Sequence, residues 1–369
     1  MSEPIPLFKP KIEEAGITRV VEALRSSWIS EGRQVQAFEK TLCSQFAFPR
    51  ALALNSGTAA LHLALLALGI KAGDEVITTA QTFVATALAI LYVGATPIFA
   101  DLEAGGPNLD PEDIRRRITP KTKAILVVHY GGEPSDMDAI LKIASEKSLK
   151  VIEDAAHALG AQYKSRPIGT LGDAAIFSFQ AIKALTTGDG GLLVCRDEET
   201  HQRAYRLRWF GIDRANRKIS ELGQPEWDIT EIGYKYHMND LAASLGLGQL
   251  ESYAQALTRR SELDALYRKS LNAVPGLQML KQTPGAQGAC WLFTMLADRR
   301  LEFVRALKSR GVEAAVWHRR IDHHPIFGGE RPDLPRQEHF DSHQVSIPLR
   351  DSLSDSEVEK ILDAVKEGW

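Results

Sequence analysis

The chain reads Phe177-Ser178-Phe179-Gln180-Ala181-Ile182-Lys183 and, shortly afterwards, Gly188-Asp189-Gly190-Gly191. The apolar start of this segment predicts the end of a β-strand, and the glycines predict a turn into the next strand. Lys183 therefore lies on a loop in apolar surroundings, where lost hydration lowers the pKa of an amine and frees it as a nucleophile. A surface lysine between two strands is the alternative interpretation of this segment alone.

Short apolar runs alternate with amphipathic stretches on both sides of this segment. Strands are predicted at residues 51–54, 75–79, 97–100, 124–130, 150–153, 174–179 and 191–195. Helices are predicted between some of them, at residues 58–68, 83–93 and 136–147. Strands separated by helices predict an α/β fold with a mainly parallel central sheet and helices on both faces.

The pattern changes after residue 245, where a long helix is predicted at 249–272, followed by shorter elements and a last helix at 355–367. A length of 369 residues favours two domains. We expect a large domain at 1–250 and a smaller C-terminal α/β domain at 251–369. The polar, glycine-bearing segment 211–236 is expected to be a long loop.

Composition excludes several classes of function. The formal net charge of −3 gives no global basic field for nucleic acid or an anionic membrane. The three cysteines have neither a disulfide pattern nor a zinc spacing. The N-terminus lacks the basic and apolar regions of a signal peptide, and the richest apolar stretch, 59–70, is too short to span a bilayer. We expect a soluble cytoplasmic protein.

A second segment reads Val151-Ile152-Glu153-Asp154-Ala155-Ala156-His157. Active-site groups in α/β sheets cluster at the carboxyl ends of strands, and a buried carboxylate there needs a cationic partner such as a protonated pyridine nitrogen. An N-cap role for Asp154 is the alternative. A third segment, Asn55-Ser56-Gly57-Thr58-Ala59-Ala60, predicts a helix start that can hold a phosphate, or simply an ordinary cap.

Together the three segments supply a phosphate cradle, a carboxylate and a nucleophilic lysine, which are the fixtures that pyridoxal phosphate (PLP) needs. The residues of these segments and their order resemble the DegT/StrS family of PLP-dependent sugar aminotransferases. The resemblance extends from about Pro6 to the last helix. The resemblance implies PLP fold type I, as in aspartate aminotransferase, with the cofactor in the large domain. The family usually has Glu where this chain has Asp189, a change that keeps the charge.

The resemblance also implies roles for single residues. Lys183 would hold PLP as a Schiff base and shuttle the proton between substrate and cofactor carbons. Asp154 would keep the pyridine nitrogen protonated, and His157 would hydrogen-bond the ring oxygen. The phosphate would be bound by three residues: Gly57, Thr58 and Ser178.

Two further cofactor residues follow from the same resemblance. Phe83 would stack on the ring, and Asn239 would reach the phosphate of the neighbouring subunit, which implies a homodimer with shared, isologous active sites. The alternatives are a core aromatic for Phe83, the N-cap of the following helix for Asn239, and a satisfied buried histidine for His157.

Substrate residues are predicted in two basic segments. Arg208 and Arg214, near Gly211, are candidates for binding the diphosphate of a nucleotide sugar, or are solvated surface. In the segment 316–324, His318, Arg319 and His323 are candidates for choosing the keto sugar. That segment differs from the endings of common sugar aminotransferases. The difference favours an unusual keto sugar, and a sugar without a nucleotide is the alternative acceptor.

Five of the ten histidines lie between residues 318 and 343, and His339 and His343 have i,i+4 spacing. Phe340 follows His339 where a zincin needs Glu, so we predict no metal site. Neither a Gly-x-Gly-x-x-Gly motif nor a Walker loop occurs in the sequence.

The predicted reaction is a two-stage amino transfer through pyridoxamine phosphate, with an amino acid donor (glutamate in the family) and a nucleotide-linked 4-keto-6-deoxy or 3-keto sugar as acceptor. This places the protein in amino-sugar or polysaccharide biosynthesis. Related pyridoxamine-dependent dehydratases carry His in place of the lysine, so Lys183 favours transamination. A catalytically silent sugar-binding or regulatory protein on the same fold, and a metal hydrolase, are the rivals from other classes.

Overall fold

The computed structural model describes residues 4–214, 216 and 218–369. The α-helices of this part are α1 (Glu14–Arg25), α2 (Arg33–Phe46), α3 (Gly57–Ala67), α4 (Ala85–Tyr92), α5 (Pro111–Arg117), α6 (Met137–Lys147), α7 (Glu198–Arg208), α8 (Asp240–Leu271), α9 (Arg300–Ser309), α10 (Pro335–His343) and α11 (Asp355–Lys366). The strands are β1 (Ala51–Leu54), β2 (Glu75–Thr79), β3 (Thr96–Ala100), β4 (Thr122–Val128), β5 (Lys150–Asp154), β6 (Gln162–Tyr163), β7 (Arg166–Pro167), β8 (Ala174–Ser178), β9 (Gly191–Cys195), β10 (Lys218–Ile219), β11 (Pro225–Glu226), β12 (Leu277–Met279), β13 (Ala286–Gln287), β14 (Phe293–Ala297) and β15 (Gln344–Ile347).

The central sheet of the described chain has seven strands in the order β1-β9-β8-β5-β4-β2-β3. The strands β8, β5, β4, β2 and β3 run parallel to one another, whereas β9 is antiparallel to both β1 and β8. All seven strands predicted from the sequence belong to this sheet. The predicted mainly parallel α/β fold is therefore confirmed.

Helices cover both faces of this sheet. Successive side chains of a strand point to opposite faces, so each strand contributes to two apolar cores. In β4, Ile125 and Val127 pack in one apolar core with residues of α2, α6 and α8. Leu126 and Val128 pack in a second core with residues of α3, α4 and α7. A near-continuous apolar strand thus identifies a sheet buried on both sides.

A smaller antiparallel sheet, β12-β14-β15, lies in the C-terminal part. Its core includes Phe293, and helices α9 and α11 contribute to it. Helix α8 contributes to a core of each sheet. Leu250 packs in the first core of the large sheet, whereas Leu263 and Tyr267 pack in the core of the small sheet. The proposed domain boundary at residue 250 thus falls within a continuous helix, and the division at that residue remains a prediction.

The structure extends the elements predicted from the sequence in two places. The long helix begins at Asp240 rather than at residue 249, because Asn239 caps it by accepting a hydrogen bond from the Ala242 N–H. The expected loop at 211–236 contains the short pair β10–β11. In the described part of the chain, no helix is long and apolar enough to cross a membrane.

Candidate active site

Lys183 lies on the loop between β8 and β9, and its Nζ is 3.8 Å from the centre of the Trp291 ring. Burial lowers the pKa of this amine from its ordinary 10.5 to about 7, and the carboxylate of Asp154 opposes the shift. A large share of the molecules therefore carries a neutral, nucleophilic amine near neutral pH. The predicted environment of the lysine is present in the fold.

Asp154 is the last residue of β5 and is buried. Its Oδ2 accepts a hydrogen bond of 2.7 Å from the Thr86 hydroxyl, and its Oδ1 accepts one of 3.2 Å from the Ala156 N–H. Burial raises the pKa of this carboxyl, and the two hydrogen bonds oppose the rise. A cation placed beside it would stabilise the ionised form.

The first turn of α3 lies at the same edge of the sheet. Ser56 caps the helix through the Ala59 N–H, at 3.1 Å, and Gly57 and Thr58 begin the first turn. A Cβ added to Gly57 would lie 3.1 Å from the Cβ of Ser178, so glycine allows the helix to approach the end of β8 closely. The exposed N–H groups and the helix dipole make this place suitable for a phosphate.

These groups line one cavity of about 400 Å³. It brings together eight residues that the sequence singled out: Gly57, Thr58, Phe83, Asp154, His157, Ser178, Lys183 and His318. It also includes residues to which the sequence assigned no role, among them Thr86, Gln180 and Trp317. Of these, Thr86 could have been predicted from the sequence, because it lies three residues after Phe83, in the first turn of α4.

His157 and His318 lie side by side in this cavity, with parallel rings whose centres are 5.5 Å apart. The Nδ1 of His157 accepts a hydrogen bond of 3.3 Å from the Gly131 N–H. Burial holds the pKa of His157 well below its ordinary value and lowers that of His318 to about 3, and the charge of Lys183 adds to both shifts. Both rings are neutral at physiological pH, and the Nε2 of His318 is buried without a hydrogen-bond partner in the described residues.

The predicted arginine contacts to substrate lie elsewhere. Arg208 is buried and forms ion pairs of 2.8 Å with Glu31 and 2.7 Å with Glu39, and Arg214 also pairs with Glu31, at 2.5 Å. Neither residue lines the cavity. Arg208 thus joins α7 to the segment before α2 and to α2 itself. Its two ion pairs give it a structural role, and the predicted contact with a diphosphate remains a prediction.

The remaining predicted residues also lie outside the cavity lining. Arg319 pairs with Asp341 at 2.9 Å and has a largely exposed side chain. The Nδ1 of His323 contacts the Arg320 carbonyl. Asn239 is exposed at the start of α8. Within the described residues, no group of three or more His, Cys, Asp or Glu side chains is arranged to hold a metal ion.

The residues present fit PLP. The start of α3 can bind the phosphate of PLP, and the carboxylate of Asp154 can pair with its pyridine nitrogen. The amine of Lys183 can react with its aldehyde. Gly57 leaves the phosphate cradle free of a Cβ, and the cavity holds the unpartnered Nε2 of His318. The fold and this cavity define the class of protein, which is an α/β enzyme of PLP fold type I.

Comparison with known proteins defines the class more closely. The model of the DegT/DnrJ/EryC1/StrS aminotransferase family matches residues 10–366. The spore coat polysaccharide biosynthesis protein SpsC of Bacillus subtilis is 39% identical over 98% of this chain and 96% of its own length. The UDP-4-amino-4-deoxy-L-arabinose–oxoglutarate aminotransferase of Shewanella sediminis is 36% identical over 99% of this chain and 98% of its own.

Solved structures agree with this assignment. The sugar aminotransferase CalS13 from Micromonospora echinospora matches with a TM-score of 0.94 and 33% identity, over 99% of this chain and 100% of that one. The chain belongs to the DegT/DnrJ/EryC1/StrS aminotransferase family. It is therefore a PLP-dependent sugar aminotransferase, and the predicted family, enzyme class and cofactor are confirmed.

Proposed function

We propose that this protein transfers the amino group of glutamate to a nucleotide-linked 4-keto-6-deoxy or 3-keto sugar. One observation carries the proposal: Lys183, with an amine pKa of about 7, shares a cavity with Asp154 and the first turn of α3. Glutamate and the nucleotide are supported by the name of the Shewanella sediminis relative, which includes both a UDP-sugar and oxoglutarate.

Lys183 is the catalytic residue of this proposal. Its Nζ would hold PLP, and the same amine would move a proton to and from the substrate carbon that carries the amino group. PLP supplies an electron sink for that carbon when bound. Asp154 holds the proton on the pyridine nitrogen, and the Thr86 hydroxyl favours the ionised carboxylate that this task requires.

The other cavity residues orient the cofactor. The N–H groups at Gly57 and Thr58 would bind the phosphate of PLP together with the Ser178 hydroxyl. A neutral His157 would hydrogen-bond the ring oxygen of PLP, and Phe83, whose ring lies 5.8 Å from that of His318, would pack on the PLP ring. His157 already accepts the Gly131 N–H at Nδ1, so its Nε2 is the atom left to face the cofactor.

A homodimer and a cytoplasmic location belong to the same proposal. Asn239 is exposed and its backbone position is fixed by the helix that it caps, so its side chain is available to a second copy of the chain. In such a dimer its side chain would contact the phosphate of the partner's cofactor. A cap and a phosphate contact are compatible because an amide side chain has both an acceptor oxygen and two N–H donors.

The acceptor sugar has a second candidate form, without a nucleotide. Among the residues that the structure describes, Lys183 is the only lysine or arginine that lines the cavity, and none of the others there offers a second cation to a diphosphate. Arg319, at the surface near His318 in the chain, is the candidate cation for a nucleotide that extends out of the cavity. His318, with its free Nε2, is the candidate contact for a sugar hydroxyl.

The half-reaction with glutamate tests the proposal. The PLP-loaded protein is mixed with glutamate alone, and the 2-oxoglutarate released is measured per active site. About one equivalent is expected, because the amine stays on the enzyme until a keto sugar arrives. UDP-linked and dTDP-linked keto sugars are then compared with the free sugars. Failure of glutamate with success of another amino acid replaces the donor, and turnover of free sugars alone selects the second form of the acceptor.

A further inference from the structure

Trp291 lies directly beneath the catalytic lysine, although no local pattern in the sequence marks it. Its ring centre is 3.8 Å from the Lys183 Nζ, and its indole N–H donates a hydrogen bond of 3.0 Å to the carbonyl of Ile182. The same ring stacks on His157, with the centres 3.9 Å apart and the planes at 21°. One buried side chain therefore contacts both the amine and the backbone next to it.

We propose that Trp291 is a positioning residue for Lys183. The face of its ring holds the ammonium, and its indole N–H holds the backbone next to the lysine. This inference rests on the catalytic role proposed for Lys183. An ammonium over an indole face is attracted by the ring quadrupole, and the attraction is strongest where water is excluded. Trp291 is 2% exposed, so the contact is largely desolvated.

The backbone holds the tryptophan in place. The carbonyl of Gly131 accepts a hydrogen bond of 2.9 Å from the Trp291 N–H, and the N–H of Gly131 donates to His157. Gly131 has φ +64°, in the left-handed region that glycine adopts without strain. Gly131 thus links His157 and Trp291, the two stacked residues. Phe8 also packs against Trp291, with ring centres 5.4 Å apart.

The ring opposes the effect of burial on Lys183. Burial favours the neutral amine, whereas the ring face and the Asp154 carboxylate favour the ammonium. Other titratable or charged groups also line the spaces around the lysine. In the active-site cavity they are His157, His318 and Asp189, and on the opposite side of its loop they are Lys9, Lys11, Glu13, Tyr253, Arg260, Arg350 and Asp351. Trp291 keeps the amine protonated in part of the molecules, as a residue that both accepts and returns a proton requires.

Competitive acetylation of the PLP-free full chain tests this proposal. Trace acetic anhydride is added between pH 5 and 11, and the Lys183 peptide is quantified by mass spectrometry against exposed lysines. Trp291→Met removes the ring and fills most of its volume. We expect its midpoint for Lys183 to fall by about 0.4 to 1.5 pH units relative to wild type. Trp291→Phe, which restores a ring without the N–H, is expected to recover at least half of that fall.

Phe8→Leu is the matched control, because it disturbs the packing of Trp291 and leaves both the indole ring and its N–H in the protein. An unchanged or raised midpoint in Trp291→Met overturns the proposal, as does an equal fall in Trp291→Phe or in Phe8→Leu. Circular dichroism establishes that each variant is folded, and Trp291→Leu replaces Trp291→Met if the latter does not fold. Acetylation does not depend on turnover, so this result is independent of whether glutamate or a keto sugar reacts.

Discussion

The hydroxyl of Thr86 donates a hydrogen bond of 2.7 Å to Oδ2 of Asp154, which links the start of α4 to the end of β5 inside the active-site cavity. The bond lowers the pKa of a carboxyl that burial raises. Thr86 accordingly stabilises the charged form of Asp154, which is the form that can hold a proton on the pyridine nitrogen of PLP.

Thr86→Val is expected to weaken PLP binding by roughly 10- to 100-fold, since a hydrogen bond to a charged group contributes about 1.5 to 3 kcal/mol. Without the hydroxyl, the pKa of Asp154 rises further, so activity is lost at a higher pH on the acid side. Titration of the PLP-free protein with cofactor, and a pH–rate profile, measure the two effects. Thr86→Ser keeps the hydroxyl and serves as the control; equal behaviour of the two variants would contradict the assignment.

Substitutions of Asn239 can separate its role as the N-cap of α8 from its proposed contact with the phosphate of PLP. Asp is as good an N-cap as Asn, so Asn239→Asp is expected to leave the melting temperature nearly unchanged. A carboxylate near a phosphate repels it, and the affinity for PLP should fall about 10-fold or more. Asn239→Ala, in contrast, is expected to cost about 1 kcal/mol of stability. Differential scanning calorimetry and cofactor titration provide both numbers, and unchanged PLP affinity in Asn239→Asp would remove the phosphate contact.

Glu153, beside Asp154, is expected to be essential for stability. Its carboxylate accepts hydrogen bonds from the N–H groups of Leu171 and Gly172, at 3.0 and 2.8 Å, and lies 3.2 Å from His129. Glu153→Ala should destabilise the protein by about 3 to 5 kcal/mol, because buried donors lose their partner. Urea unfolding measures this loss. Glu359→Ala, at an exposed position of α11, is the control and should change stability by less than about 0.5 kcal/mol.

Lys183 makes the stability of the PLP-free protein depend on pH. Its amine has a pKa of about 7 in the fold and 10.5 ordinarily, so the unfolded chain binds the proton more tightly. The resulting cost is fully present below pH 7 and disappears as the pH rises towards 10.5. Lys183→Met should therefore stabilise the protein at pH 6 by roughly 2 to 4 kcal/mol, a figure reduced for solvent in the cavity. The advantage should shrink by pH 10, as denaturant titrations at the two values would show; a constant difference would contradict the lowered pKa.

Local sequence patterns predicted the central sheet and one edge of the site. Strand ends, a helix start and a lysine loop all lie at the carboxyl edge of a parallel sheet, so Gly57, Asp154 and Lys183 were expected to meet there. Apolar runs were sufficient because the strands are buried on both faces. The family resemblance added Phe83 and His157, which the cavity includes.

Contacts between distant segments could not be predicted in the same way. Trp291 reaches Lys183 from the C-terminal part of the chain, and no periodicity reports such a contact. The arginine segment at 206–214 looked like a substrate surface, but Arg208 is neutralised by Glu31 and Glu39 from far earlier in the sequence. A basic pattern states which charges are present, whereas only the fold shows which acids they meet.

Lys183 is proposed to hold PLP, and glutamate is proposed to pass its amino group to the cofactor. The most direct measurement is the absorbance spectrum of the purified protein with PLP, for wild type and Lys183→Ala, before and after adding glutamate. We predict a visible band in the wild type that Lys183→Ala lacks, and a shift towards pyridoxamine phosphate with glutamate. A band of equal strength in Lys183→Ala, or no band in the wild type, would contradict the account.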